Sequence, residues 1–128
     1  MPDWSTYRET ARSRGALALE LFVVMSTPAE DGPDLAAHLP NHLDYQRQLE
    51  TAGHLFLAGP MSDASGTRVE GAGLIIYRVA SLDDARALAD ADPMHAAGAR
   101  HYTLRRWMVN EGSLTVNVGL STGHATAS

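Results

Sequence analysis

At 128 residues the chain has the length of one domain, and apolar side chains make up 45% of it, enough for a core of its own. Ten Lys and Arg against fifteen Asp and Glu leave a formal charge of -5 with the arginines scattered, which argues against a nucleic-acid partner. The absence of cysteine excludes disulfides, thiolate metal sites and a thiol nucleophile, and it fits a reducing compartment.

Met1-Pro2-Asp3-Trp4 has neither the basic start nor the apolar centre of a secretory signal. The longest apolar run, Ala16 to Met25, is broken by Glu20 and falls short of the ~20 residues that cross a bilayer, so a cytoplasmic protein with no membrane partner is expected. Residues 3 to 14 read as a short helix, capped by Asp3 or Ser5 and ended by Gly15, with Trp4, Tyr7 and Ala11 on one face. Residues 17 to 25 form a first strand that stops at Ser26-Thr27-Pro28.

Helical spacing returns from Leu35 to Ala52, where Leu39, His42, Leu43, Tyr45, Gln46 and Leu49 share one arc. Pro40 has no backbone donor and belongs in a first turn, so the continuous helix is expected to start near it. A short strand at residues 54 to 58 breaks at Gly59-Pro60, a polar loop covers 61 to 71, and Ala72 to Val79 is the next strand.

Ser81 then caps a helix whose buried side is Leu82, Ala85, Leu88 and Ala89. That helix cannot pass smoothly through Asp92-Pro93, because a residue before proline disfavours helical angles. Pro93 starts a further turn, Met94 to Gly98, with Asp92 as its N-cap. His101 to Val109 is a strand, residues 112 to 119 hold an extra one around 114 to 118, and the small, polar tail from 120 to 128 is expected to fray.

Residues 17 to 109 thus alternate strand, helix, strand, strand, helix, strand within a single domain spanning 1 to 128. Two split crossover units of this kind predict an α+β, ferredoxin-like antiparallel sheet with both helices on one face. The other face still needs cover, and the first and third strands are apolar at nearly every position. A second copy of the sheet is the expected cover, a barrel closed across a homodimer. The segment 114 to 118 either extends the partner's sheet or forms an edge strand within its own chain.

Two residues carry candidate chemistry. His42 sits among core-facing positions, where an imidazole is either a buried histidine with a satisfied hydrogen bond or a proton-transfer group working near neutral pH. Asp92 is either an ordinary cap or the carboxylate that orients such a ring, and the two roles are compatible. Gly59 and Pro60, Ser62 and His95 are candidates for contact with a small-molecule substrate, against the plainer alternatives of a strand-ending turn and surface positions. His38 lies four residues before His42, but Pro40 between them argues against a helical metal site, and no dinucleotide, phosphate-loop or nucleophile-elbow motif occurs. Neither a metal nor any other cofactor is expected.

The chain resembles the YCII-related (YciI-like) family. The resemblance rests on His42-Leu43, Gly53-His54-Leu55 leading to Ala58-Gly59-Pro60-Met61, Ser81-Leu82-Asp83-Asp84-Ala85, Ala89-Asp90-Ala91-Asp92-Pro93 and Ala96-Ala97-Gly98, between about Leu17 and Trp107. It implies a dimeric ferredoxin-like barrel similar to muconolactone isomerases, with a histidine and aspartate pair at positions 42 and 92. It also implies a cofactor-free lyase or isomerase, since the family includes a dehydrochlorinase-type enzyme. Two departures stand out: Leu39 where many members have arginine, and Gly71-Ala72 where Gly-Ser is common. The alternatives to catalysis are a protein that binds a small molecule unchanged in the same cleft, and an accessory interaction protein.

Overall fold

The computed structural model describes residues 1–128, which gather into two compact units: Glu20–Trp107, and Met1–Leu19 together with Met108–Ser128. In chain order the helices are α1 (Trp4–Ser13), α2 (Leu35–Thr51), α3 (Leu82–Ala91) and α4 (Pro93–Ala96). The strands are β1 (Leu19–Pro28), β2 (Leu55–Ser62), β3 (Val69–Tyr77), β4 (Arg100–Val109), β5 (Val116–Val118) and β6 (Ala125–Ala127). No helix is long and apolar enough to cross a membrane.

Strands β1 to β4 form one antiparallel sheet in the order β2-β3-β1-β4, the ferredoxin-like arrangement predicted from the element order. Register fixes its faces. Phe22 opposes Tyr77, Val24 opposes Ile75 and Ser26 opposes Gly73, and β2 continues these three rows with Leu55, Ala58 and Pro60. Directly opposed residues point to the same side, so this is one face. Phe22, Val24, Ile75 and Tyr77 pack there against Leu49 of α2 and Ala85 and Ala89 of α3, forming the core. The other face carries Val23, Met25, Leu74, Ile76 and Trp107 around a shallow hollow of about 280 Å³.

Several boundaries differ from expectation, each for a local reason. β1 does not stop at Ser26 but runs to Pro28, because Ser26 is still in register opposite Gly73. β2 does not break at Gly59-Pro60 but continues through them to Ser62. It is an edge strand, where a proline sacrifices no ladder bond, and its register shifts come between Leu55 and Leu57 and between Pro60 and Ser62, not at Gly59-Pro60. α2 starts at Leu35, ahead of Pro40, capped by the Asp34 carboxylate at 3.1 Å from the Ala36 amide. Pro40 leaves the Ala36 carbonyl without its helical donor, but Ala36 is exposed and water can serve it. Leu39 and Leu43, predicted to face inward, are exposed.

In the second unit, Gly15 takes a left-handed φ of 84° just past α1, and the Leu17 amide donates to the Asn110 carbonyl. The tail does not fray. β5 pairs antiparallel with β6, and Thr115 and Ser128 exchange both backbone hydrogen bonds at 2.9 Å, so the extra strand pairs with the tail itself.

Candidate active site

The helical repeat that places Tyr45 and Leu49 on the core side of α2 also turns His42 inward, leaving 18% of its side chain exposed. Asp92 arrives from the opposite direction. Pro93 ends α3, Asp92 adopts φ -59° and ψ 125°, and its carboxylate turns back to cap α4, Oδ1 accepting from the Met94 amide at 3.0 Å. The Asp92 side chain is completely buried, and both its oxygens lie 2.9 Å from His42 Nδ1.

A carboxylate only accepts, so Nδ1 carries the hydrogen, and in the neutral ring Nε2 carries the lone pair. Nε2 has no hydrogen-bond partner within the chain. Asp92 therefore does both things the sequence allows: it caps a turn and orients an imidazole.

Beside this pair runs a second polar chain. Arg100 of β4 donates from Nε to Ser26 Oγ at 2.8 Å and from Nη2 to the Ser26 carbonyl at 2.9 Å and to the Gly71 carbonyl. Ser26 Oγ lies 2.8 Å from His95 Nε2, and His95 Nδ1 lies 2.8 Å from the Ala89 carbonyl. The directions are forced. The carbonyl requires a hydrogen on Nδ1, which leaves Nε2 as an acceptor for the Ser26 hydroxyl, while Ser26 Oγ accepts from the guanidinium. Tyr102 packs its ring against His95, centroids 4.7 Å apart, and donates its hydroxyl to Asp90 at 2.5 Å.

Burial lowers the pKa of His95, outweighing the Ala89 carbonyl and the Asp92 charge that favour its protonation, so this imidazole is neutral at neutral pH. Burial also raises the Tyr45 phenol, with the Asp92 charge adding to it, and does the same to Tyr77. Both phenols stay protonated. Arg100 is lowered by burial, against the pull of Asp92, and remains a cation.

Of the other sequence candidates, His95 adjoins the pair, its amide donating to the Asp92 carbonyl at 2.9 Å, while Gly59, Pro60 and Ser62 belong to β2. Pro60 is two strands from Ser26 in the same cross-sheet row, on the helix side, with only Gly73 between them. Gly59 opposes Leu74, in a row of the open face, and Ser62 is exposed with its hydroxyl donating to the Asp63 carbonyl at 2.9 Å. Both ring nitrogens of His95 are occupied by protein atoms. No group of three or more His, Asp or Glu side chains is placed to hold a metal.

Sequence reasoning missed Ser26 and Arg100. The signal was present in the alternation, since Phe22, Val24 and Ser26 continue one inward-facing series on β1, and Arg100, Tyr102 and Leu104 another on β4. A polar residue at an inward strand position near a candidate pair deserved to be counted with it.

The comparisons with known proteins agree with this architecture. The model of the YCII-related domain matches residues 21–108, a span that contains His42 and Asp92. The uncharacterized protein YjpA of Bacillus subtilis is 28% identical over 74 residues, covering 58% of this chain and 80% of its own. Among solved structures, the 5-chloro-2-hydroxyhydroquinone dehydrochlorinase TftG of Burkholderia phenoliruptrix, in complex with 2,5-dihydroxybenzoquinone, aligns with a TM-score of 0.53 at 23% identity over 68% of this chain and 92% of that one. That likeness is one of fold. The match over most of the chain, on the fold described above, establishes that the protein belongs to the YCII-related domain family.

Proposed function

We propose that the protein is a small-molecule lyase or isomerase that moves a proton with His42, while Asp92 orients the ring and balances the charge the ring acquires. The observation that carries this is the buried carboxylate 2.9 Å from Nδ1, with Nε2 left unbonded on a partly exposed ring. The substrate class is a small cyclic compound bearing a carbonyl or phenolic oxygen, in keeping with the quinone-type ligand and dehydrochlorination named for the structural neighbour.

In such a substrate, a C–H bond next to the carbonyl breaks and its hydrogen passes to Nε2. The electron pair left behind forms a C=C bond to the carbonyl carbon while the C=O π pair moves onto oxygen. In an elimination, the carbonyl re-forms and the C=C pair shifts to the neighbouring carbon, which loses its leaving group with that group's bonding pair; in an isomerisation, the carbonyl re-forms as Nε2 returns the hydrogen to a different, conjugated carbon. Both outcomes balance with no redox cofactor. Pro60 lies on the helix side of the sheet, in the cross-sheet row of Ser26, and a second copy of the chain as cover for the open sheet face makes the working form a homodimer.

The test is turnover of a panel of chlorinated hydroquinones and cyclic enol lactones, read by chloride release and by absorbance. His42→Gln should keep the fold and lose turnover by a factor on the order of 10² to 10⁴. Equal turnover in this variant would overturn the proposal. A wild-type protein that binds such compounds and returns them unchanged would favour a binding protein instead.

A further inference from the structure

We propose that Ser26 and His95 are positioning residues: together they staple the turn that carries Asp92 to the sheet and thereby hold its carboxylate on His42. This rests on the pair itself as the working centre and adds the device that keeps it assembled.

The need for a staple follows from the proline. In a continuing helix the Ala89 carbonyl would receive the amide hydrogen of residue 93, but that residue is Pro93 and has none to give. The Asp92 amide reaches Ala89 only at 3.3 Å. His95 supplies the missing donor, its Nδ1 meeting the carbonyl at 2.8 Å, so one side chain bridges from α4 back over the break to the last turn of α3. Asp92 sits midway in the segment Ala89 to His95 that this bond closes.

α4 has only four residues, far too few to hold a direction without tertiary contacts. Beyond the burial of Met94, the polar tie to the sheet is His95 Nε2 on Ser26 Oγ, at 2.8 Å. Ser26 is 3% exposed and is itself fixed by the Nε donor of Arg100. The bonds run in one direction, from Arg100 on β4 through Ser26 on β1 and His95 on α4 to the Ala89 carbonyl on α3, with no alternative orientation of any hydrogen along the way. With both nitrogens engaged, His95 acts through Asp92 and not on a ligand.

The test needs no substrate. In ¹H–¹⁵N spectra of the full chain, the Nδ1 hydrogen of His42 reports directly on its contact with Asp92, and its exchange with water measures how often that contact opens. Ser26→Ala, which removes one hydroxyl, should speed this exchange about tenfold, the factor supplied by one hydrogen bond of ordinary net strength. His95→Gln, which loses the bridge across the break, should do the same or more. A residue that merely supports the fold would lower the melting temperature without altering the exchange well below it. Wild-type exchange in either folded variant overturns the proposal. That result would leave the catalytic reading of His42 untouched, just as an inactive His42→Gln protein would not rescue the staple.

Discussion

Tyr45 of α2 donates its hydroxyl hydrogen to the Leu88 carbonyl of α3 at 2.7 Å, tying together the two helices that deliver His42 and Asp92. Tyr45 lies one turn after His42, and Leu88 one turn before Asp92. Burial, aided by the Asp92 charge, keeps the phenol protonated, so the donor persists across the working pH range. Tyr45→Phe should cost about 1 kcal/mol in a denaturant titration, the net worth of one such bond. An unchanged midpoint would show that packing alone aligns the helices.

Asp92→Asn separates the two duties of the carboxylate. The amide oxygen can still cap the Met94 amide, and asparagine is as good a cap as aspartate, so stability should fall by about 1 kcal/mol or less. The amide nitrogen, however, takes the place of Oδ2 and presents a hydrogen to His42 Nδ1, which favours the tautomer with Nδ1 accepting and the ring's own hydrogen on Nε2. The free base is lost. Turnover should drop by a factor on the order of 10² to 10⁴, whereas Asp92→Ala should in addition lose about 2 kcal/mol of stability with the cap and the pair. Full activity in the folded Asn variant would show that the tautomer is irrelevant.

The element order and the break at Asp92 were legible because each rests on a local rule, whereas the pairing of His42 with Asp92, fifty residues apart, was implied by the resemblance to the YCII-related family. Alternating and helical apolar spacing gave the element order, and a proline after Asp92 dictates a break with that residue at the cap. What escaped depended on strand pairing. Ser26 looks like a terminator until Gly73 is found opposite it, and Gly59-Pro60 looks like a turn until β2 is known to be an edge strand. The β5–β6 hairpin likewise escaped, because its strands are three residues each and carry almost no periodic signal.

His95 makes the fold sensitive to acid. Its folded pKa lies below the ordinary value of 6.5 because burial disfavours the charged ring, with Arg100 and His42 adding to that effect and the Ala89 carbonyl and Asp92 opposing it. The unfolded chain therefore binds the proton more readily, and stability rises with pH across this interval. The stabilisation is complete above the unfolded value near 6.5 and is lost as the pH falls from there through the lowered folded value. Denaturation midpoints should decline as the pH is taken from about 7 to about 5, and His95→Gln should lack this component. An identical pH profile in that variant would assign the acid sensitivity elsewhere.

Tyr77 is completely buried in the core, yet its hydroxyl oxygen has no hydrogen-bond partner. A buried hydroxyl without a partner pays the loss of its water with nothing in return. Tyr77→Phe should consequently be neutral or stabilising, visible as an equal or higher melting temperature with the same two-state transition. A loss of more than about 1 kcal/mol would reveal a partner for the hydroxyl.

The open face of the sheet makes the final prediction. Met25 is 47% exposed, Trp107 44% and Leu57 59% in the isolated chain, on the face where Leu74 and Ile76 line the shallow hollow. A contiguous apolar surface of this kind marks an interface. In the homodimer proposed above a second copy covers it, since the same alternation that fills the helix side with Phe22 and Val24 places Val23 and Met25 on this one. Leu74→Glu puts a charge at the centre of that contact and leaves the helix-side core untouched. Wild-type protein should sediment at twice the chain mass and the variant at once, with unchanged far-ultraviolet circular dichroism. A wild-type monomer, or a variant that still dimerises, would show that something other than this face of a second copy covers it.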